Sequence, residues 1–456
     1  MKRFTGISRL YEEVKMVVST KRRWAAMAGG LTVFALALTG CTGGGGAGTG
    51  GGGEAKTITW LVDHTENSVS AAESVIKAFE KANPDVNVEL ETRPGGGDGD
   101  NIVKTRLATG EMADVFNYNS GSLFQQINPQ QNVLPVTNEP YMQNVSASFK
   151  PVVTVGSDVY GVPFGAGMAG AVLYNKRVYD DLGLSVPKTW DQFIENSRKI
   201  KEAGKDAIIQ TYQTTWTSQL FVLGDFANVA AADPSFAESY TANKAKYATS
   251  EVAIKGFQHQ EEAFKAGLFN EDFASATYAQ GLEKLTSGEG VQYPILTFAL
   301  NEIKVSFPEQ LNDIGLFPLP GDDASKNPLT IWLPGGTYIA KNTDAPDEAK
   351  KFQAFVASQD GCKAQIGAVG ANGPFLVEGC ELPDDVPNAV KDMLPFFQDE
   401  TKNNPALEFL SPVKGPALEQ ITVEVGSGIR SAQDAAALYD QDVEKQAKQL
   451  NLPGWG

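Results

Sequence analysis

Within Thr57-Ile58-Thr59-Trp60-Leu61-Val62-Asp63 the stretch Ile58 to Val62 reads as a strand, and the alternating segments that come after it decide the fold. Ala72, Val75, Ile76 and Phe79 recur at helical spacing, so one stripe of a helix carries them until Pro84 stops it. Val86, Val88 and Leu90 then alternate as a second strand. Asn101 to Ala108 reads as a helix ended by Gly110, and Asp114 to Asn117 begins a third strand. Strands alternating with helices predict an α/β lobe built on a largely parallel sheet. Ligands collect outside the carboxyl ends of such strands, which brings the polar segments Asp63 to Asn67 and Tyr118 to Ser122 to one rim.

Further along, Gly170 to Asn175 reads as a strand, and Thr189 with Gln192 reads as a capping box opening a helix that carries Trp190, Phe193 and Ile194. Ile208 and Ile209 form another short strand, and helical patterns run through 217–223, 252–265 and 278–287. The apolar run from Val291 to Ala299, a strand from Thr337 to Ala340 and a helix from Asp347 to Ala357 complete the pattern. A chain of 456 residues exceeds the size at which one core keeps growing, so a second lobe is expected.

The amino-terminal end carries a different kind of signal. Lys21, Arg22 and Arg23 precede an apolar run from Trp24 to Leu38, too short for a span of about 20 residues, which ends in Leu38-Thr39-Gly40-Cys41. Residues 1–40 therefore read as a secretory signal and Cys41 as a lipid-anchor site similar to the lipobox of bacterial lipoproteins, with translation expected to start at Met16. Residues 41–56 are glycine-rich, with Gly43 to Gly46, Gly48 and Gly50 to Gly53, lack the Lys-Ser or Lys-Thr of a phosphate loop, and read as a tether with a reach of about 20 Å.

Beyond residue 40 there remain 31 of the 38 basic and 53 of the 55 acidic residues, a net charge of −22. Such a surface repels nucleic acid and anionic headgroups, so nucleic-acid binding is excluded. With Cys41 acylated, Cys362 and Cys380 are an even pair in an oxidising compartment and are expected to be bonded. His64 and His259 are the only histidines and neither lies in a metalloprotease pattern, so no metal site is expected. Asp98 and Asp100 lack the spacing of a calcium hand and read as part of a mobile polar loop.

Five segments in order carry a family resemblance. Gly110-Glu111-Met112-Ala113-Asp114-Val115-Phe116, Tyr160-Gly161-Val162-Pro163-Phe164, Leu173-Tyr174-Asn175-Lys176, Pro187-Lys188-Thr189-Trp190, and Gly335-Gly336-Thr337-Tyr338-Ile339-Ala340-Lys341-Asn342 resemble landmarks of the extracellular solute-binding proteins of carbohydrate ABC transporters, the family that includes the maltose-binding protein. The resemblance implies a two-lobed periplasmic-binding-protein-like fold of type II, each lobe a mixed, mostly parallel sheet flanked by helices. It places crossings near Gly161, Thr337 and Pro387, giving a first lobe of 57–161 with 338–386 and a second of 162–337 with 387–456. It further implies a monomer that needs no cofactor, closes on a sugar or oligosaccharide, and hands it to a permease while lipid holds it to the membrane.

A sugar needs aromatic platforms for its C–H faces and Asn, Asp, Gln or Glu for its hydroxyl rim. Tyr118, Asn119 and Ser120 follow the third strand, where the resemblance puts a stacking aromatic; packing under the loop is the alternative for Tyr118. Glu66 and Asn67 follow the first strand, as ligand contacts or as a solvated helix cap. Trp216, with Gln219 three residues on, is the leading platform of the second lobe. Trp332, before the turn Pro334-Gly335-Gly336, is a second platform or a packing residue, and Phe164 is a further candidate. Phe298 stands where the resemblance expects a stacking Trp, and it cannot donate a hydrogen bond. Trp60 and Trp190 read as core. A surface glycoside hydrolase would need two carboxylates about 5–10 Å apart, which no motif here groups. A peptide or iron-chelate receptor is the other alternative.

Overall fold

The computed structural model describes residues 55–456. The signal, Cys41 and nearly all of the tether lie outside them. Strands β1 (Lys56–Asp63), β2 (Val86–Arg93) and β3 (Val115–Tyr118) alternate with helices Glu66–Ala82 and Gly96–Thr109. A small hairpin, β4 (Thr154–Val155) with β5 (Asp158–Val159), precedes β6 (Gly161–Phe164), and β7 (Met168–Asn175) begins after a gap of three residues. Then come β8 (Asp206–Ile208), β9 (Gly290–Leu296), β10 (Ile314–Pro318), β11 (Leu329–Trp332), β12 (Gly335–Ile339) and β13 (Asn403–Pro405).

These strands form two main sheets, one per lobe. The first runs β2-β1-β3-β12-β6, and the second runs β13-β11-β7-β9-β8 with β10 also paired to β7. In the first sheet β12 is antiparallel to both of its neighbours, and in the second β7 is antiparallel to β9, β10 and β11. Each sheet therefore has a single strand running against the rest, and that strand is the one entered directly from the other sheet. A chain that leaves one sheet at the carboxyl ends of its strands arrives at the facing rim of the next and must run away from it, so the reversal follows from the crossing. The first sheet keeps β6 and β12 entire. The chain thus passes between sheets at 165–167 and 333–334, a few residues from the Gly161 and Thr337 that the resemblance implied. Helix Asn388–Phe397 then lies on the second sheet, where the Asp392 carboxylate accepts the Leu316 N–H at 3.2 Å.

The local reasons are visible in the sequence. Thr65 caps helix Glu66–Ala82, and Ala72, Val75 and Phe79 are fully buried beneath it while Ile76 is half-buried at the edge. Trp60 is buried as expected, edge-on to Phe352, with its indole N–H donating to Asn117 Oδ1 at 3.0 Å. Trp190 is buried against His259, its ring stacked at 3.9 Å, and donates to Glu262. Thr189 accepts from Gln192 N–H, but the Gln192 amide oxygen returns to the Lys188 N–H, so only half of the expected box forms. The complete box is at Thr277 and Gln280, opening helix Tyr278–Ser287. Cys362 and Cys380 are bonded, with Cα atoms 6.2 Å apart.

The polar loop expected around Asp98 and Asp100 is instead helical, in a helix that begins at Gly96 and not at Asn101. Gly95 serves as its cap, and Asp98 sits in its first turn, where the positive end of the helix favours an acidic side chain. Gly99 has no room for a side chain: an added Cβ would lie 1.9 Å from the Pro94 carbonyl oxygen and 2.4 Å from Arg93 Nη1. Of the glycines that read as loop, Gly99 is required by this close approach, whereas Gly95 to Gly97 have open space around them.

Candidate functional site

A cavity of about 750 Å³ opens where the carboxyl ends of β1, β2 and β3 face the second lobe. The first lobe supplies Asp63 and Thr65 after β1, Arg93 and Gly95 to Gly97 after β2, and Asn119 after β3. The second lobe supplies Gln219 together with Lys414 to Pro416 and Glu419. This is the rim that strand order predicts.

Its polar groups are held in place from behind. Asp63 accepts hydrogen bonds from the Thr65 N–H at 3.1 Å and the Ser68 hydroxyl at 2.7 Å, which fixes the carboxylate before any ligand arrives. Arg93 is 8% exposed; Nη1 donates to the Pro94 carbonyl at 3.0 Å and Nη2 to the Asn117 carbonyl at 3.3 Å, while Nε has no partner among the described residues. Its guanidinium stands 6.0 Å from the centre of the Tyr118 ring. Lys414 pairs with Glu408 at 2.9 Å, and Glu408 also accepts the indole N–H of Trp332.

An aromatic trio, none of whose members lines the cavity, includes a neighbour of Gln219 on the same short turn. Trp216 lies 5.4 Å from Tyr278 and 5.5 Å from Phe298, ring centre to ring centre, and the latter two are 6.1 Å apart. All three are half-buried. Trp216 and Gln219 belong to the 3-10 turn Thr215–Gln219, whose i and i+3 side chains eclipse, so the platform and the cavity-lining amide lie on one side. The Tyr278 hydroxyl is buried without a partner among the described residues, and burial pushes the nearby Glu302 carboxyl above the usual range.

Asn119 is exposed on the cavity, and Ser120 is buried beneath it, its hydroxyl donating to the Pro334 carbonyl at 2.8 Å. Tyr118 is 2% exposed and lies under the loop, its phenol pushed well above the ordinary range chiefly by burial and then by Asp100. Glu66 is exposed and Asn67 half-buried in the first turn of their helix; the cavity takes their neighbours Asp63 and Thr65 instead. Phe164 is half-buried, edge-on to Trp60 at 5.2 Å. Trp332 is 6% exposed and covers Gly170, where an added Cβ would lie 2.3 Å from its ring. Gly335 and Gly336 permit close packing, since a Cβ would meet the Tyr118 carbonyl oxygen at 2.9 Å and the Tyr338 ring at 2.5 Å.

Sequence reasoning missed Arg93, Lys414 and Glu419. Arg93 was findable: it closes β2, and the strand-end rule that picked Asp63 and Tyr118 applies equally to it. The 414–419 segment lies far along the chain, follows Pro412 and contains Pro416, and carries no local signal.

A family model described as bacterial extracellular solute-binding protein matches residues 63–361. Among curated relatives, the multiple sugar-binding protein of Streptococcus mutans is 26% identical over 317 residues, 67% of this chain and 71% of that protein. The melibiose/raffinose/stachyose-binding protein MelE of Bacillus subtilis is 22% identical over 444 residues, 93% of this chain and 97% of that protein. Among solved structures, a chitin oligosaccharide binding protein superposes with a TM-score of 0.75 at 19% identity, covering 87% of this chain and 100% of that one.

Proposed function

The chain belongs to the bacterial extracellular solute-binding proteins, and from that premise we propose that it captures a neutral sugar or oligosaccharide between its lobes and delivers it unaltered to an ABC transporter permease. Lipid on Cys41 holds it to the outer face of the cell membrane. The lobes that close are the two sheets with their helices, near the expected division of 57–161 with 338–386 against 162–337 with 387–456.

The observation that carries this reading is a 750 Å³ inter-lobe cavity, within the range of about 300–1,000 Å³ usual for small-molecule sites, whose Gln219 shares a 3-10 turn with Trp216 of the aromatic trio. Its polar lining combines carboxylates, amides and ammonium groups from both lobes with the Arg93 guanidinium and the Thr65 hydroxyl of the first. Flat apolar rings and planar hydrogen-bonding groups match the two faces of a pyranose. The curated relatives are named for sugars, which supports the same class. Ligand contacts to both lobes at once favour the closed state by differential affinity, so no covalent step is needed.

Calorimetry of the purified protein against raffinose, melibiose and chito-oligosaccharides, with chromatography of the sugar after incubation, tests the proposal. Saturable binding with intact sugar is expected. Cleaved sugar would favour the hydrolase, and silence across the panel with heat from peptides or iron chelates would favour the other receptor.

A further inference from the structure

The passage from β6 to β7 is only three residues long, and every one of them is gripped by a single loop. Gly165, at φ +98°, donates its N–H to Gln365 Oε1 at 2.8 Å. Ala166 pairs with Phe375 in an isolated antiparallel bridge. Gly167 donates its N–H to the Pro374 carbonyl at 2.7 Å, and Gly373 comes so near that an added Cβ would lie 1.9 Å from the Gly167 carbonyl oxygen. Gln365, Gly373, Pro374 and Phe375 all fall inside the stretch that the Cys362–Cys380 disulfide closes.

That stretch is fastened to the first lobe. Helix Gln359–Val369 is tied to helix Glu66–Ala82 through the Ser74 hydroxyl, which donates to the Ala364 carbonyl at 2.8 Å. Farther on, the Ser146 N–H donates to the Leu376 carbonyl at 3.0 Å and the Glu378 N–H to the Asn144 carbonyl at 2.7 Å. On the side of the second lobe, an added Cβ at Gly167 would meet the Phe397 ring at 3.0 Å, and one at Gly373 would meet Met393 Cε at 3.2 Å. The loop is thus a collar, anchored in one lobe and pressed against the other, around a strand whose backbone must turn if the lobes move.

We propose that the disulfide-closed loop 362–380 sets the open–closed equilibrium of the lobes, with Gln365 as a positioning residue that acts on ligand affinity without touching ligand. Gln365 is 2% exposed and lies outside the set of cavity-lining residues. A hydrogen bond made in one state of the hinge and lost in the other shifts the balance by the worth of that bond, about fivefold. The disulfide enters because it keeps the two arms of the collar in register. The inference rests on the reading that the lobes close on ligand, but its primary test needs no ligand.

The test uses the full chain in detergent micelles, with azide-bearing residues replacing exposed Lys81 of the first lobe and Arg198 of the second, each carrying a dye, and single-molecule energy transfer reporting the distance between them. Gln365→Met keeps the volume and removes the acceptor; Gln365→Glu restores an acceptor. Gln365→Met and reduction of the disulfide are each expected to move the ligand-free distance distribution in the same direction, with Gln365→Glu returning it toward the starting protein and raffinose affinity moving about fivefold with Gln365→Met. An unmoved distribution in folded Gln365→Met overturns the proposal, as does a folded, reduced protein whose distribution matches the oxidised one. Should reduction unfold the chain, Gln365→Met decides alone. Altered distances without binding of any sugar in the panel would sink the sugar reading and leave the hinge assignment standing.

Discussion

Replacing Trp216 by alanine removes the ring that holds Tyr278 and Phe298 in their trio while leaving the fold beneath it intact, because the side chain is only half-buried. Binding should weaken at least tenfold, about 1.4 kcal/mol, with little change in melting temperature, as read by calorimetry and thermal unfolding. Trp332→Ala should do the opposite. Its ring is buried over Gly170, so the chain should lose about 3–5 kcal/mol of stability. Asp225, 2% exposed and accepting from Asn228 at 2.8 Å, is pushed up to about 8 chiefly by burial, whereas burial pulls the neighbouring His259 down to about 3. A raised carboxyl pKa stabilises the fold below the unfolded value near 4, and that contribution is lost as pH rises through 8; the depressed histidine acts the other way, losing stability as pH falls below about 6.5. Between pH 6.5 and 8 the histidine is silent, and denaturant unfolding should show a loss of about 1–2 kcal/mol that Asp225→Asn abolishes. At this scale Trp216 stands out in the sequence because an aromatic among small polar residues is a local pattern, and its half-burial beside Tyr278 and Phe298 is what the folded chain adds. Tyr118 and Trp332 could not be sorted into surface or core, since their burial depends on strands and loops distant in the chain.

Elements show the same division. Helix Gly96–Thr109 starts five residues before its sequence signal because three-dimensional closeness to Arg93 and Pro94 demands glycine, and glycine in a sequence window reads as loop. Gly99→Ala should push the helix start off Arg93, cost about 1–3 kcal/mol by overpacking, and weaken ligand binding severalfold, since both Arg93 and Gly95 to Gly97 line the cavity. Thermal unfolding beside calorimetry checks both effects. The bond between Cys362 and Cys380, 18 residues apart, should contribute about 3 kcal/mol, measurable as a lower midpoint of denaturant unfolding under reductant. That pairing was legible as parity of cysteines in an exported chain; that the loop it closes wraps a crossing strand was not.

For the whole molecule, the consequence of two facing rims is closure: the radius of gyration from small-angle scattering should fall when a bound sugar is present and return when it is removed. A ligand that left the scattering profile unchanged would show that binding does not draw the lobes together. What the sequence by itself determined is everything set by near neighbours or by count. It determined the alternation of strands and helices, the rim at the ends of β1 and β3, the even pair of cysteines and the acidic charge. Tertiary structure decided where the chain crosses between lobes, which strand in each sheet runs backwards, and how Arg93, Lys414 and Glu419 meet across one cavity. Those outcomes depend on contacts between segments separated by hundreds of residues, and no local spacing or propensity encodes a distance that only the folded chain brings to zero.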